Sequence, residues 1–343
     1  MRCFAKGMAM ASLLVLLGLG GLGADVLGAQ PSFAGRAVVV LVGYPPGSGY
    51  DRFGRLVARY LSKYLPGSPA IVVQNMPGAG GIVAANHLFH VARPDGLTIG
   101  VINPVLVIAQ LAGVREMRVD MRRWQWLGAL TTETVVFTVR SDLPYRHIGE
   151  LRETRAPLAV GATSPGNNSY DFPLALKAFA GLNLRIIAGY PGTPDVLLAM
   201  ERKEIDAYAA TWSSLVPHIR RGLLRPLLRT ASSSRQQEIL GIPVAEGLVS
   251  GEVARMVLRL RSDVLSAGRP FVAPPDTTTE LVRVYRVAFR QLGEDAAFKA
   301  EAERLGFEPW YTPGEEVQRV MERVLAAPPG VQRVFRELFQ FGE

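Results

Sequence analysis

Three short loops carry the residue types best suited to gripping a ligand. The first, Pro45-Pro46-Gly47-Ser48-Gly49-Tyr50-Asp51, joins glycines that let a backbone approach closely to the hydroxyls of Ser48 and Tyr50 and one carboxylate, Asp51. The second, Thr163-Ser164-Pro165-Gly166-Asn167-Asn168-Ser169, is dense in donors and has no charged residue. The third, Tyr190-Pro191-Gly192-Thr193, adds two more hydroxyls. This is the equipment for holding a carboxylate or phosphate, not for breaking a bond. Ordinary strand-to-helix turns use the same residue types. A single loop therefore leaves both readings open; three in one chain favour binding.

Catalytic and metal signatures fail by comparison. Ser164 has no G-x-S-x-G elbow around it, so it lacks the strained turn of a hydrolase nucleophile. His87 and His90 are three apart on a helical stretch with no acidic or second histidine cluster, which suits surface or packing roles better than zinc. His147 and His218 stand alone. Gly78-Ala79-Gly80-Gly81-Ile82-Val83 approaches a dinucleotide fingerprint but puts Val83 at its third small position, and no G-x-x-x-x-G-K-[ST] loop occurs. No enzyme, metal or cofactor is expected.

The elements around the loops explain why they would converge. Val38–Val42 reads as a buried parallel strand, and Phe53, Leu56, Val57, Tyr60 and Leu61 then fall on one helical face. Ala70–Val73, Ile82–Val91 and Leu97–Ile102 continue as strand, helix, strand. The same grammar restarts with a strand at Leu158–Val160, a helix at Phe172–Ala180 closed by Gly181, and strands at Leu184–Ala188 and Ile205–Ala210. Thr193-Pro194-Asp195 opens a helix, with a cap, a proline at the first position and an acid near the positive end. The tail from Thr278 is mainly helical. Alternation of this kind predicts an α/β fold with two lobes, each a mainly parallel sheet flanked by helices. In open α/β sheets ligands bind beyond the carboxyl ends of the strands, where helix N-termini offer unpaired N–H groups and partial positive charge. All three loops occupy such positions.

The start of the chain sets its compartment. Arg2 and Lys6 precede the apolar run Met8–Leu22, the pattern of a secretory signal peptide, and Ser32-Phe33-Ala34 places cleavage after Ala34. Cys3, the single cysteine, falls within the removed segment, so the mature chain would have neither disulfide nor thiolate metal ligand. With 343 residues and 48% hydrophobic composition the chain can bury a core in about two domains. Its net charge of +8 is spread without a Lys/Arg run, which argues against nucleic acid and permits a mild preference for anions.

Several motifs together resemble a known family. They are Tyr44-Pro45-Pro46-Gly47 with Asp51 and the Arg55–Ala58 helix, Val72-Val73-Gln74-Asn75-Met76-Pro77-Gly78-Ala79-Gly80-Gly81, and Pro94-Asp95-Gly96-Leu97-Thr98. Gly161–Ser169, Gly189–Thr193 and a return strand at Phe271-Val272-Ala273-Pro274-Pro275 extend the match over nearly the whole mature chain. The chain is similar in these to the extracytoplasmic solute receptors of tripartite tricarboxylate transporters, the Bug receptors.

The resemblance implies a two-lobed, type II-like periplasmic binding protein fold: a signal peptide at 1–34, one lobe from 35–137 and 270–343, and the other from 138–269. It implies a monomeric periplasmic receptor that captures a small organic anion, a carboxylate, by lobe closure and delivers it to membrane permease subunits. Ligand contacts carry over to Gly47, Ser48, Gly49, Tyr50 and Asp51, to Ser164, Gly166, Asn167, Asn168 and Ser169, and to Tyr190, Gly192 and Thr193. Trp212 is expected to add an aromatic wall. The first loop departs from the family's P-G-G-P-T-D, since Tyr50 stands where a small hydroxyl is usual. The rival function is a ligand sensor signalling through a membrane kinase, and a more remote one is a hydrolase built on Ser164.

Overall fold

The computed structural model describes residues 31–338, apart from Ser232, Ser233 and Arg235. The expected signal peptide, with Cys3 and the apolar run, therefore lies almost wholly outside the described residues. The described residues form one compact unit.

The chain enters through β1 (Ala37–Val42), whose unbroken apolar run suits a strand covered on both faces. It continues through α1 (Gly49–Leu61), β2 (Ala70–Asn75), α2 (Ile82–His90), β3 (Thr98–Val101) and α3 (Leu106–Ala112), then β4 (Gln125–Thr132). There it crosses to a second sheet: β5 (Val135–Arg140), β6 (Leu158–Gly161), α4 (Asn168–Ala180), β7 (Leu184–Ile187), α5 (Thr193–Glu201), β8 (Ala207–Thr211), α6 (Trp212–Arg220) and β9 (Leu224–Arg229). Helices α7 (Gln237–Leu240) and α8 (Glu252–Leu265) lead back to β10 (Pro270–Ala273). The chain ends in α9 (Thr279–Glu294), α10 (Ala296–Arg304), β11 (Glu308–Pro313), α11 (Gly314–Leu325) and α12 (Pro329–Leu338).

Each lobe is thus a helix-flanked sheet, with strand orders β11-β4-β10-β3-β1-β2 and β7-β6-β8-β5-β9. Both sheets are mixed, where mainly parallel ones were expected. The parallel pairs are β1 with β2 and β3, and β6 with β7 and β8, each formed by βαβ units. Strands that have just crossed between lobes come in antiparallel: β10 against β3 and β4, and β5 against β8 and β9.

The two crossings touch. Gly268, just before β10, has φ +59°, and a Cβ there would lie 1.6 Å from the Thr131 carbonyl oxygen at the end of β4. Only glycine fits so close an approach. The apolar core is also continuous across the crossings: Phe137, Val160 and Phe172 of one lobe pack in the same cluster as Trp126, Met121 and the buried faces of α11 and α12. A second cluster, with Phe53, Phe271, Phe289 and Phe307, fills the β1–β3 side of the first lobe.

Phe33 belongs to that second cluster. It is fully buried, its ring lies 5.5 Å from that of Tyr285, and its amide donates to the Pro66 carbonyl at 2.9 Å. A chain cut after Ala34 would lose this anchor. No helix among the described residues is long and apolar enough to cross a membrane.

Candidate functional site

A cavity of about 40 Å³ opens where the carboxyl ends of β1 and β3 face those of β6 and β8. Four helices, α1, α4, α5 and α6, begin at its wall, through Ser48, Gly49 and Tyr50, Asn167 and Asn168, Thr193, and Thr211 and Ser214 respectively. The first amides of a helix have no partner within it, and its dipole makes that end partly positive. Tyr44, Asn103, Thr163, Tyr208, Ala209 and Ala210 complete the lining, which contains no charged side chain. The arrangement can coordinate an anion by neutral donors; it contains no nucleophile–base pair.

The two loops flanking the cavity share one brace. In α1, Ser48 caps by accepting from the Asp51 amide at 3.2 Å, while Asp51 Oδ2 accepts from the Gly47 amide at 2.9 Å. In α4, Asn167 is the cap and Asp171 Oδ1 accepts from the Gly166 amide at 3.0 Å. Gly47 and Gly166 both have positive φ, +81° and +77°, so each loop needs a glycine where its amide turns back to the first-turn carboxylate. Each carboxylate has a cationic partner: Arg55 for Asp51 at 2.9 Å, and the fully buried Arg261 for Asp171 at 3.2 Å. Burial pushes the Asp51 carboxyl up, but hydrogen bonds from Arg55, the Gly47 amide and Asn75 outweigh it and hold it below its ordinary 3.8. Asp171 goes the other way: complete burial pushes it up to about 6, against the pull of Arg261 and the Gly166 amide.

The lobes meet through Tyr44. Its hydroxyl donates to the Gly80 carbonyl at 2.7 Å and accepts from Asn103 Nδ2 and, across the cleft, from Asn167 Nδ2, both at 2.9 Å. Close approach elsewhere depends on missing side chains. A Cβ on Gly80 would lie 2.4 Å from Ser164 Oγ, on Gly192 2.7 Å from Pro45 and on Gly166 2.9 Å from Ala109. The structure is therefore that of closed lobes. Burial raises the Tyr44 hydroxyl to about 12 and pushes Tyr50 and Tyr208 well up, so all three remain neutral donors near neutral pH.

Of the residues expected from sequence, Ser48, Gly49, Tyr50, Asn167, Asn168 and Thr193 line the cavity. Gly47, Asp51, Gly166 and Ser169 stand behind it and hold the loops; Ser169 Oγ accepts from the Thr163 amide at 3.0 Å. Asn168, although on the wall, gives its side-chain oxygen to Arg261 at 3.2 Å. Ser164 and Gly192 make the interlobe contacts just described. Tyr190 packs beside the core under α5 and α6. Trp212 is displaced furthest from expectation: it lines a separate space of about 10 Å³ behind the crossing, with Glu133, Gln236 and Glu308. Its amide donates to Thr134 at 2.7 Å, turning it away from the cleft. That space admits no more than about one water.

Tyr44, Asn103, Thr163, Tyr208, Thr211 and Ser214 were not among the expected contacts. Asn103 follows β3 and Thr211 ends β8, so the rule that pointed to the three loops also reaches them. Tyr208 was hidden inside a strand, where side chains alternate between faces.

Comparison with known proteins agrees with this geometry. The family model for the tripartite tricarboxylate transporter family receptor matches residues 53–327. A UPF0065 protein of Bordetella pertussis is 25% identical over 345 residues, covering 97% of this chain and 98% of that protein. The periplasmic binding protein BugD superposes with a TM-score of 0.73 at 20% identity, over 89% of this chain and 98% of its own. MatC of Rhodopseudomonas palustris, solved with bound malate, superposes with a TM-score of 0.71 at 21% identity, over 90% of this chain and 100% of its own.

Proposed function

The chain belongs to the tripartite tricarboxylate transporter family of receptors, and we propose that it captures a small carboxylate between its lobes in the periplasm and passes it to a membrane permease. The observation that carries this reading is the convergence of four helix N-termini on a cavity lined only by neutral groups. Such a site favours an anion through backbone amides and dipoles, with hydroxyls to orient it. That MatC holds malate in the same fold supports a carboxylate as the anion.

Function on this reading is a population shift. A ligand that contacts α1 on one lobe and α4 to α6 on the other binds only the closed form, so it draws the open form into closure. The permease then meets a receptor whose surface reports occupancy. Receptor chemistry of this kind involves no bond breaking, no cofactor and a single polypeptide.

The test is thermal unfolding of the exported, purified protein against a panel of mono-, di- and tricarboxylates. Binding to the native state alone raises Tm with ligand concentration, by about 2.7 kcal/mol of stability at a hundredfold excess over Kd. A concentration-dependent rise with one class of acid is expected. A folded sample that responds to none of them would remove the proposal.

A further inference from the structure

Tyr50 occupies cavity wall in a way that fixes how much ligand the closed site can take. Its ring is stacked on Tyr44, with centroids 4.7 Å apart and planes 16° from parallel, and the Arg269 guanidinium carbon lies 4.3 Å from its centroid. Arg269 is itself immobilised. It is fully buried, paired with Glu133 at 2.5 Å, and donates from Nη2 to Thr211 and Ser213 at 2.9 Å each. The loop carrying Tyr50 is held closely as well: a Cβ on Gly49 would lie 2.2 Å from Ser214 Oγ of the opposite lobe and 2.9 Å from Nη2 of the immobilised Arg269. A ring 8% exposed, with two partners and no slack in its backbone, does not swing aside in the closed form.

The remaining space is about 40 Å³. One water-sized group needs on the order of 10–15 Å³ measured this way, so the closed cleft holds roughly three such groups. That is a carboxylate with a short tail.

We propose that Tyr50 is the specificity-determining residue of this site, setting an upper limit on ligand length, so that the receptor takes compact acids and excludes longer dicarboxylates. The inference rests on the carboxylate reading above and narrows it. Its physical basis is steric: an extra methylene that a rigid wall will not admit prevents closure, and closure is what binds.

The test is calorimetric titration of the purified full-length receptor with glycolate, lactate and malonate as the compact set and adipate as the long probe. For the wild type, at least one compact acid should bind more than about tenfold tighter than adipate. Tyr50→Thr should raise adipate affinity by about tenfold or more, while Tyr50→Phe, which keeps the ring and loses the hydroxyl, should keep the exclusion. Wild-type protein that binds adipate as tightly as the compact acids overturns the length limit and leaves the carboxylate reading standing. A folded Tyr50→Thr protein with unchanged discrimination does the same. Should Tyr50→Thr not fold, the wild-type comparison and Tyr50→Phe still decide: adipate accepted by either one overturns the limit. Wild type that binds none of these four acids overturns the length limit, while the carboxylate reading falls only if the broad panel above also gives no response.

Discussion

Glu133 and Arg269 form a buried ion pair, Nε to Oε1 at 2.5 Å, that joins the two connections on which the chain crosses between its lobes. Glu133 lies between β4 and β5, and Arg269 immediately precedes β10. Both are buried, and the pair also draws in Thr211 and Ser213 at the start of α6. One guanidinium therefore touches the crossing, the start of α6 in the second lobe and the ring of Tyr50. Arg269 Nη1 has no hydrogen-bond partner among the described residues.

Removing one member of such a pair leaves a buried charge uncompensated. Glu133→Gln is expected to lower unfolding stability by about 3–5 kcal/mol, read as a shift of the urea midpoint at constant slope. A loss below about 1 kcal/mol would show that the pair carries little of the crossing's stability.

Tyr44→Phe removes the hydroxyl that links Gly80, Asn103 and, across the cleft, Asn167. Asn103 Nδ2 then loses this partner, at a cost of about 1–3 kcal/mol. Because one of the bonds exists only when the lobes are shut, the variant should populate a more open form. Small-angle X-ray scattering without ligand is expected to give a larger radius of gyration than wild type. Identical scattering would mean that closure does not depend on this contact.

How much of this was legible beforehand depended on sequence separation. The helix of Phe53, Leu56, Val57 and Leu61 is a local pattern and stood out, as did the glycines of the three loops, whereas the capping role of Ser48 did not. Asp51 was visible, but its partners were not: a carboxylate facing a helix N-terminus can meet a ligand or brace its own loop, and the structure bonds it to Gly47, Asn75 and Arg55. Glu133 and Arg269, 136 residues apart, gave no local signal at all. Strands β4, β5, β9 and β11 were missed too, β9 and β11 because proline breaks their pattern. Trp212 followed a strand end, as a ligand contact should, but the helix begins at that residue and turns its ring to the far side of the crossing.

Asp171 gives the protein a definite pH dependence. Its carboxyl is pushed by burial from 3.8 to about 6 in the native state. Between about pH 4 and pH 6 the native protein therefore holds a proton that the unfolded chain has released, so this group's contribution to stability falls as pH rises through that window and is level above it. The stability of wild type minus that of Asp171→Asn should shrink from pH 4 to pH 6, by on the order of 3 kcal/mol, and then stay constant. A difference that is flat or grows across the window would contradict the raised value.

Phe33 limits where an N-terminal segment could be removed without cost. Its buried ring and the bond from its amide to Pro66 make it part of the first lobe. Intact-mass measurement of the exported protein should place the mature N-terminus before Phe33. A recombinant chain starting at Gly35 should lose about 3–5 kcal/mol, the usual cost of removing a core phenylalanine. A native N-terminus at Gly35 with full stability would refute this.

Asn168→Ala with Ser169→Ala, a natural choice for emptying the site, is now expected to disturb the fold as well, because these side chains bond Arg261 and Thr163. Ser214→Ala is the cleaner probe, since Ser214 Oγ lines the cavity and its described bond is to Thr211, at 2.9 Å. It should weaken binding of the stabilising acid with little change in Tm of the free protein. Unchanged affinity would take that hydroxyl out of the site.

The most direct test is a crystal structure of the receptor grown with the acid that most raises its Tm. The carboxylate oxygens should lie within about 3 Å of the first amides of α1 on one lobe and of α4 or α5 on the other, with the tail stopped against Tyr50. Density for the acid anywhere other than this cleft, or bound to one lobe alone, would contradict capture between the lobes.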